Sequence, residues 1–179
     1  FAKAVQSIEP TATGLPVADL ASGEAVVSAF QQAFSTSFIL IIILLLLILK
    51  SIKKTFLVIG PLILAGLLTC TVNVLLDIPF NFANIIALPL LLGIGVDSGI
   101  HIMHCLHDKL DDGKQLLQSS TARGVMFSSF TTMSSFVSLT LIPHFGIASM
   151  GITLAVGISF TLICTLIILP AFSNKAIEL

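Results

Sequence analysis

The sequence predicts an all-α membrane protein with five transmembrane helices. Of its 179 residues, 56% are hydrophobic and only 9% are charged, and the mean hydropathy is +1.10. These values lie outside the range of soluble globular domains. About 20 mainly apolar residues in a helix span the hydrocarbon core of a bilayer. Five segments meet this requirement: 31–49, 55–76, 82–106, 124–142 and 145–169. Too little polar sequence remains for these segments to be core helices of a large soluble protein.

The basic residues predict which way the helices cross the membrane. Lys and Arg are retained in short cytoplasmic loops. All basic residues except Lys3 follow the first, third or fifth span: Lys50, Lys53, Lys54, Lys109, Lys114, Arg123 and Lys175. The loops 77–81 and 143–145 contain no basic residue. We therefore expect the amino end outside the cytoplasm and the carboxyl end inside it.

The first 30 residues are predicted to be the end of an extracytoplasmic domain, followed by the membrane bundle at 31–179. They are mixed in polarity and contain turn-forming residues at Pro10, Gly14 and Pro16. In the segment 22–34, apolar residues recur at helical spacing, so an amphipathic helix is expected to continue into the first span. Because the chain begins at Phe1 without an initiator Met, we expect it to be part of a longer protein.

Asp97 is the most informative residue, because it lies within the apolar segment 84–103 of the third span. A charged side chain near the centre of a membrane helix costs about 2.5 to 3.5 kcal/mol, so it indicates a function by default. Asp97 is expected about 4.5 Å to the cytoplasmic side of the span's midpoint, near Ile94. His101 and His104 share its helical face, and such lines of Asp and His form proton relays.

Structural roles remain open for each of these residues. Asp97 could be permanently paired with a hydroxyl or a backbone group. His101 could serve as a hydrogen-bonding residue, and His104, like His107, lies where polar residues contact lipid headgroups.

Glycines around Asp97 indicate that this helix is closely packed. Gly95 and Gly99 form a small-xxx-small pair, and Gly93 adds room on an adjacent face. We expect the face carrying Asp97 to lie near this packed interface. Pro89 lacks a backbone N–H and is expected to kink the helix.

The fourth span has a stripe of hydroxyl groups at helical spacing: Ser128, Thr131 or Thr132, Ser135 and Ser138. This span runs in the opposite direction to the third, so Ser128 to Thr132 should match Asp97 in depth. These hydroxyls are candidate hydrogen-bond partners of Asp97 in either protonation state. The alternative is that each bonds back to the carbonyl of its own helix at i−4.

Two further segments complete the predicted topology. The residues 107–120 mix leucines with charges, which predicts a turn and a cytoplasmic surface helix near 108–120. The last span contains no titratable residue, so it is expected to serve in packing, and Pro170 is expected to end it.

Several classes of function are excluded or weakened. The segment GIGVD superficially resembles the motif of intramembrane aspartyl proteases, but no second intramembrane carboxylate is present. A serine protease based on Ser98 lacks a third catalytic member and an oxyanion loop. The three cysteines have no metal-ligand spacing, and no basic patch suggests nucleic acid. We therefore expect no enzyme, no cofactor, no metal and no nucleic-acid partner.

The segments LPLLLGIGVDSGIHIMH and TARGVMFSSFTTMSSFVSLTLIPHFGIASMGITLAVGISFTLICTLIILPA resemble the carboxyl-terminal membrane block of the resistance-nodulation-division superfamily. The similarity covers about residues 11–172 and is greatest to the branch of MMPL-like lipid exporters and hopanoid transporters. It implies helices eight to twelve of a twelve-helix transporter of the bacterial inner membrane. Asp97 matches an acidic position on helix ten, and the residues from Ser128 to Ser135 match a polar stripe on helix eleven. Many relatives have Tyr where this chain has Ser98.

The resemblance implies export of a hydrophobic lipid, such as a hopanoid, toward the periplasm or outer membrane, driven by the proton-motive force. The expected partners are a membrane lipid, protons, the amino-terminal half of the same transporter, and further copies in a homodimer or trimer. That half would supply a second carboxylate on helix four. The alternative function is a sterol-sensing-like regulatory or scaffold domain that binds lipid without pumping.

Overall fold

The computed structural model describes residues 14–110 and 116–177, which fold into long helices joined by short connections. The helices are α1 Leu15–Leu49, α2 Ile52–Leu75, α3 Ala87–Leu110, α4 Ser120–Ser138, α5 Phe145–Ile163 and α6 Leu169–Ile177. Five segments are long and apolar enough to cross a membrane: Ser22–Leu49, Ile52–Leu75, Asn84–Leu106, Ser120–Leu141 and Phe145–Ser173. The described residues contain no strand. The predicted fold class is confirmed.

The helix α1 is a single element of 35 residues that begins with Pro16 in its first turn. At 1.5 Å per residue it is about 52 Å long, whereas the hydrocarbon core is about 30 Å thick. It therefore extends beyond the membrane at its amino end. Phe30, Phe34 and Phe38 form a ladder of rings along α1, with centroids 5.8 Å and 6.3 Å apart. The helix ends at Lys50, which has a left-handed φ of 48°.

The helix α2 begins after Ser51, whose hydroxyl accepts from the backbone N–H of Lys54 at 3.5 Å. Pro61 lies buried inside this helix, where it removes one backbone hydrogen bond. Such prolines are tolerated in membrane helices that pack against neighbours.

The helix α3 begins later than the sequence suggested, and Pro89 therefore has a different role from the one expected. A short 3₁₀ turn, Asn84–Ile86, precedes the helix, which starts at Ala87. Pro89 thus lies in the first turn of α3, where backbone N–H groups have no partner within the helix. The predicted kink at Pro89 is wrong, because no hydrogen bond is lost there.

The helix α4 begins after Ser119, whose hydroxyl accepts from the backbone N–H of Ala122 at 3.0 Å. The surface helix predicted near 108–120 falls partly on residues 111–115, which lie outside the described residues. On either side, α3 continues to Leu110 and a 3₁₀ turn covers Leu116–Gln118. A third 3₁₀ turn, Leu139–Leu141, leads from α4 toward α5.

The helix α5 is the centre of the bundle and packs against α2, α3 and α4. Its buried residues, among them Leu154 and Ile158, are mostly small or aliphatic. This observation supports the packing role expected for the last span. The expectation that Pro170 ends this span is wrong, because α6 continues through it. A π turn, Cys164–Ile168, precedes Pro170 and shifts the hydrogen-bond pattern, which lets a helix accommodate a residue without an N–H.

Candidate functional site

The helix α3 has one packed face and one open face, and the two are formed by different residues. A methyl group added at Gly95 would collide with Leu62 of α2, and one added at Gly99 would collide with Val58. The glycine pair therefore allows close contact between α2 and α3. Asp97 is two residues from each glycine, a rotation of about 200° around the helix. The expectation that Asp97 shares the packed glycine face is wrong.

The open face of α3 carries the predicted proton-relay residues. Gly93, Asp97, His101 and His104 are all exposed on it, and a methyl group at Gly93 would meet nothing within 4 Å. The Asp97 side chain is 77% exposed and the His101 side chain is 60% exposed. A carboxylate cannot remain in contact with lipid tails, so this face must be covered by water or by protein. The described part of the chain provides no such cover over Asp97.

Asp97 and His101 form a pair one helical turn apart. The Nε2 atom of His101 lies 3.5 Å from the Oδ1 atom of Asp97, so the two form an ion pair when Asp97 is ionised and His101 is protonated. His104 continues the line toward the end of α3, but no contact joins it to Asp97 or His101 among the described residues. The structure therefore brings two of the three predicted titratable groups together.

A polar cavity of about 400 Å³ separates α3 from α4 beside this pair. Asp97, Ser98 and His101 line it from α3. From α4 it is lined by Ser120, Thr121, Gly124, Val125 and Ser128. Ser128 was among the expected partners of Asp97, whereas Ser120, Thr121 and Gly124 were not. The arrangement offers a carboxylate, an imidazole and hydroxyls to water or protons in one space.

The other predicted hydroxyls of α4 do not line this cavity. Thr131 and Thr132 both donate to the carbonyl of Ser128 at 2.8 Å, and Ser135 donates to the carbonyl of Thr131 at 3.0 Å. Their hydroxyls are thus satisfied by their own helix, which is the alternative considered from the sequence. Of the residues expected to match Asp97 in depth, Ser128 lines the cavity with it, whereas Thr131 and Thr132 do not.

Ser98, the residue after Asp97, also lines the cavity. Its hydroxyl donates to the carbonyl of Ile94 at 3.3 Å, so this hydroxyl proton is bonded to its own helix and not to Asp97.

Sequence reasoning missed a second set of polar residues, at the opposite end of the bundle from the basic loops. Asn73 of α2 is fully buried and donates from Nδ2 to the Thr153 hydroxyl of α5 at 3.0 Å. Asn81 donates to the Ser149 hydroxyl at 2.8 Å, and the amide oxygen of Asn84 accepts from the Asn81 backbone N–H at 2.8 Å. In the sequence, an Asn near the end of an apolar span was the signal that could have indicated this buried polar set.

An apolar crevice of about 200 Å³ lies between α1, α2 and α3, toward the same end of the bundle as Asn73. Its lining is almost entirely hydrocarbon and includes Phe34 and Phe38 of α1, Gly66 and Cys70 of α2, and Leu88 and Leu92 of α3. A methyl group at Gly66 would meet nothing within 4 Å, so this glycine leaves space. Such a crevice can accept a hydrocarbon group but no ion.

Taken together, five membrane-crossing helices with an intramembrane Asp and a separate apolar crevice define a multi-pass membrane protein with transporter-like features. A model of the MMPL family matches residues 5–175. The chain belongs to the MMPL family. Within this family, the chain is similar to the hopanoid-transporter branch of the resistance-nodulation-division superfamily, as the resemblance implied.

Three relatives illustrate this membership. The hopanoid transporter HpnN of Rhodopseudomonas palustris is 43% identical over 175 residues, and that of Burkholderia multivorans is 38% identical over 175 residues. Both alignments cover 98% of this chain and 20% of the relative. A putative membrane protein of Methanocaldococcus jannaschii is 34% identical over 117 residues, which cover 62% of this chain and 30% of that protein. The chain thus spans about a fifth of the length of the two hopanoid transporters.

Proposed function

We propose that this chain is the proton-coupling membrane block of a transporter that exports a hydrophobic lipid, such as a hopanoid, from the inner membrane. The observation that carries the proposal is the open face of α3, where Asp97 contacts His101 and borders a polar cavity. Protonation and deprotonation of Asp97 would accompany each transport cycle. A proton that crosses the membrane supplies about 2.3 kcal/mol per 100 mV of membrane potential.

The exposure of Asp97 supports a partner outside the described residues. The buried side-chain polar atoms of the described residues all have hydrogen-bond partners, so the bundle satisfies the polar groups that it buries. Asp97 differs from those buried groups, because it lies on an open face and is 77% exposed. We propose that the amino-terminal half of the same transporter covers this face and supplies the second carboxylate. A homodimer or trimer of the whole transporter remains an expectation of the sequence.

The proposed orientation of the helices across the membrane follows from the basic residues at one end of the bundle. Lys50 and Lys53 lie where α1 ends and α2 begins, and Arg123 lies in the first turn of α4. The positive-inside rule makes this end cytoplasmic. The extracytoplasmic end then holds Asn73, Asn81 and the apolar crevice.

The test is proton-driven transport by the full-length transporter in proteoliposomes, with a fluorescent or radiolabelled hopanoid as the cargo. Asp97→Asn keeps the size of the side chain but cannot release a proton. We expect transport to fall to the rate measured without a proton gradient. Asp77→Asn is the matched control, since Asp77 is an exposed carboxylate in the loop after α2. Transport by Asp97→Asn at the wild-type rate would overturn the proposal.

The alternative, a lipid-sensing domain without pumping, is favoured by one observation, the apolar crevice between α1, α2 and α3. In a sensor, lipid binding would not depend on a proton gradient. Filling the crevice with Gly66→Leu should reduce photo-crosslinking of a hydrophobic lipid probe under either function. A wild-type protein that binds the probe but shows no proton-dependent transport would support the sensor instead.

A further inference from the structure

We propose that the cavity between α3 and α4 is the passage through which water and protons move between the cytoplasm and Asp97. This inference rests on the proposed function of Asp97 as the proton-binding group, and it assigns the route by which the proton reaches or leaves it. On α4 the route is lined by Ser128, which the family resemblance singled out, and by Ser120, Thr121 and Gly124, which it did not.

The position of the cavity suits a passage that opens at one end of the bundle. Ser120 is the first residue of α4, and Ser128 lies eight residues further along the same helix. At 1.5 Å per residue, the lining on α4 extends about 12 Å inward from the start of the helix. Asp97 and His101 line it from the antiparallel neighbour α3. The cavity thus connects the basic end of the bundle with the intramembrane carboxylate.

The hydroxyls of α4 fall into two groups according to whether they border the cavity. Beyond Ser128, those of Thr131, Thr132 and Ser135 donate to carbonyls of their own helix. By contrast, the hydroxyls of Ser120, Thr121 and Ser128 form no hydrogen bond to another described side chain or carbonyl, and they line the cavity. Hydroxyls that line a shared space without a protein partner can hydrogen-bond to water there.

The size and chemistry of the cavity also suit water. One water needs about 10 to 15 Å³ of accessible space, so this open cavity of about 400 Å³ is wide enough to admit water. The titratable groups that line it are Asp97 and His101, both from α3, while α4 contributes hydroxyls, Gly124 and Val125. A proton released by the Asp97 carboxyl can therefore pass to water in the cavity and leave at the start of α4.

Gly124 provides a way to close the passage without disturbing the packing. It lies midway between Ser120 and Ser128 on the lining, and a methyl group added there would meet nothing within 4 Å. A larger side chain at this position therefore projects into the cavity. Gly60 of α2 is a matched control, since it is also exposed, helical and free of neighbours within 4 Å but does not line the cavity.

The first test compares Gly124→Leu with Gly60→Leu in the full-length transporter in proteoliposomes under a proton gradient. We expect Gly124→Leu to slow transport by about tenfold or more, while Gly60→Leu transports at the wild-type rate. Thermal unfolding of both variants shows whether each remains folded. Equal transport by the two folded variants would overturn the passage. If Asp97→Asn abolishes transport in the same assay, the proton site stands and only its route is wrong.

The second test measures access of water directly and does not depend on transport. A cysteine at Ser128 should react with a membrane-impermeant thiol reagent added from the cytoplasmic side. A cysteine at Thr132, one turn further along α4 and outside the lining, should react at least about tenfold more slowly. Both are made in a variant with Ala at Cys70, Cys105 and Cys164. Addition of Gly124→Leu should slow the reaction at position 128, and equal reactivity at the two positions would overturn the proposal.

Discussion

Asn73 and Asp97 are both polar residues in membrane-crossing helices, but the fold treats them in opposite ways. Asn73 is fully buried, and its amide and the Thr153 hydroxyl bond to each other across the seam between α2 and α5. Asp97 is 77% exposed, and the partner of its carboxylate among the described residues is His101 of the same helix. A polar group that the bundle satisfies serves its stability, whereas one that the bundle leaves open is available for chemistry.

The two helix–helix interfaces that contain these residues, or seams, differ in the same way: one is closed and the other is open. The seam between α2 and α5 is closed, with Thr69 donating to its own helix and Asn73 paired across it. The seam between α3 and α4 contains the polar cavity instead of side-chain hydrogen bonds between the helices. The cavity leaves room for water beside the Asp97 carboxylate.

The largest expected effect is the loss of transport, without loss of stability, when Asp97 is changed. Asp97→Asn should abolish proton-driven transport and leave the thermal unfolding midpoint of the full-length protein within a few degrees of wild type, because an exposed side chain is changed. Circular dichroism during heating measures the midpoint alongside the transport assay. A large drop in this midpoint would mean that Asp97 serves the fold and that the contrast with Asn73 is wrong.

Asn73→Ala should have the converse effect. It leaves a buried cavity and removes the amide partner of Thr153, which costs about 1 to 3 kcal/mol of stability. Folded protein should still transport lipid. Combining it with Thr153→Val in a double-mutant cycle tests the pair, since contacting residues show interaction energies of about 0.5 to 3 kcal/mol. Additive destabilisation would show that the two side chains do not interact.

His101→Gln is expected to have a smaller effect on transport than Asp97→Asn. It keeps a polar side chain beside Asp97 but removes the imidazole, and we expect the rate to fall by about tenfold at most. His104→Gln is the matched control on the same face, outside the cavity lining. Equal losses in the two variants would extend the relay to His104 and contradict the pairing seen here.

The smallest effect is expected at Thr132. Its hydroxyl is satisfied by the Ser128 carbonyl, so Thr132→Val should change stability by no more than about 0.5 kcal/mol and leave transport unchanged. Ser128→Ala, which removes a hydroxyl from the cavity, should slow transport measurably in the same assay. If Thr132→Val slowed transport as much as Ser128→Ala, Thr132 would also act with Asp97, as the sequence led us to expect.

The errors made from the sequence have physical causes. Pro170 predicted a helix end, but a π turn before it removes the need for the missing N–H. Depth matching selected Ser128 to Thr132, but of these Ser128 lines the cavity, while the hydroxyls of Thr131 and Thr132 bond to their own helix. Gly95 and Gly99 led to the expectation of a packed interface near the Asp97 face, although two residues along a helix lead to the opposite side.

The sequence by itself determined the five spans and the position of Asp97 one turn from His101, because hydrophobic length and helical rotation are local properties. Only the tertiary structure decided which hydroxyls face Asp97, that Asn73 is paired with Thr153, and that α1, α2 and α3 leave an apolar crevice. These features depend on the register between helices. That register is set by the fit of side chains distant in the sequence, such as Val58 against Gly99, which no local pattern specifies.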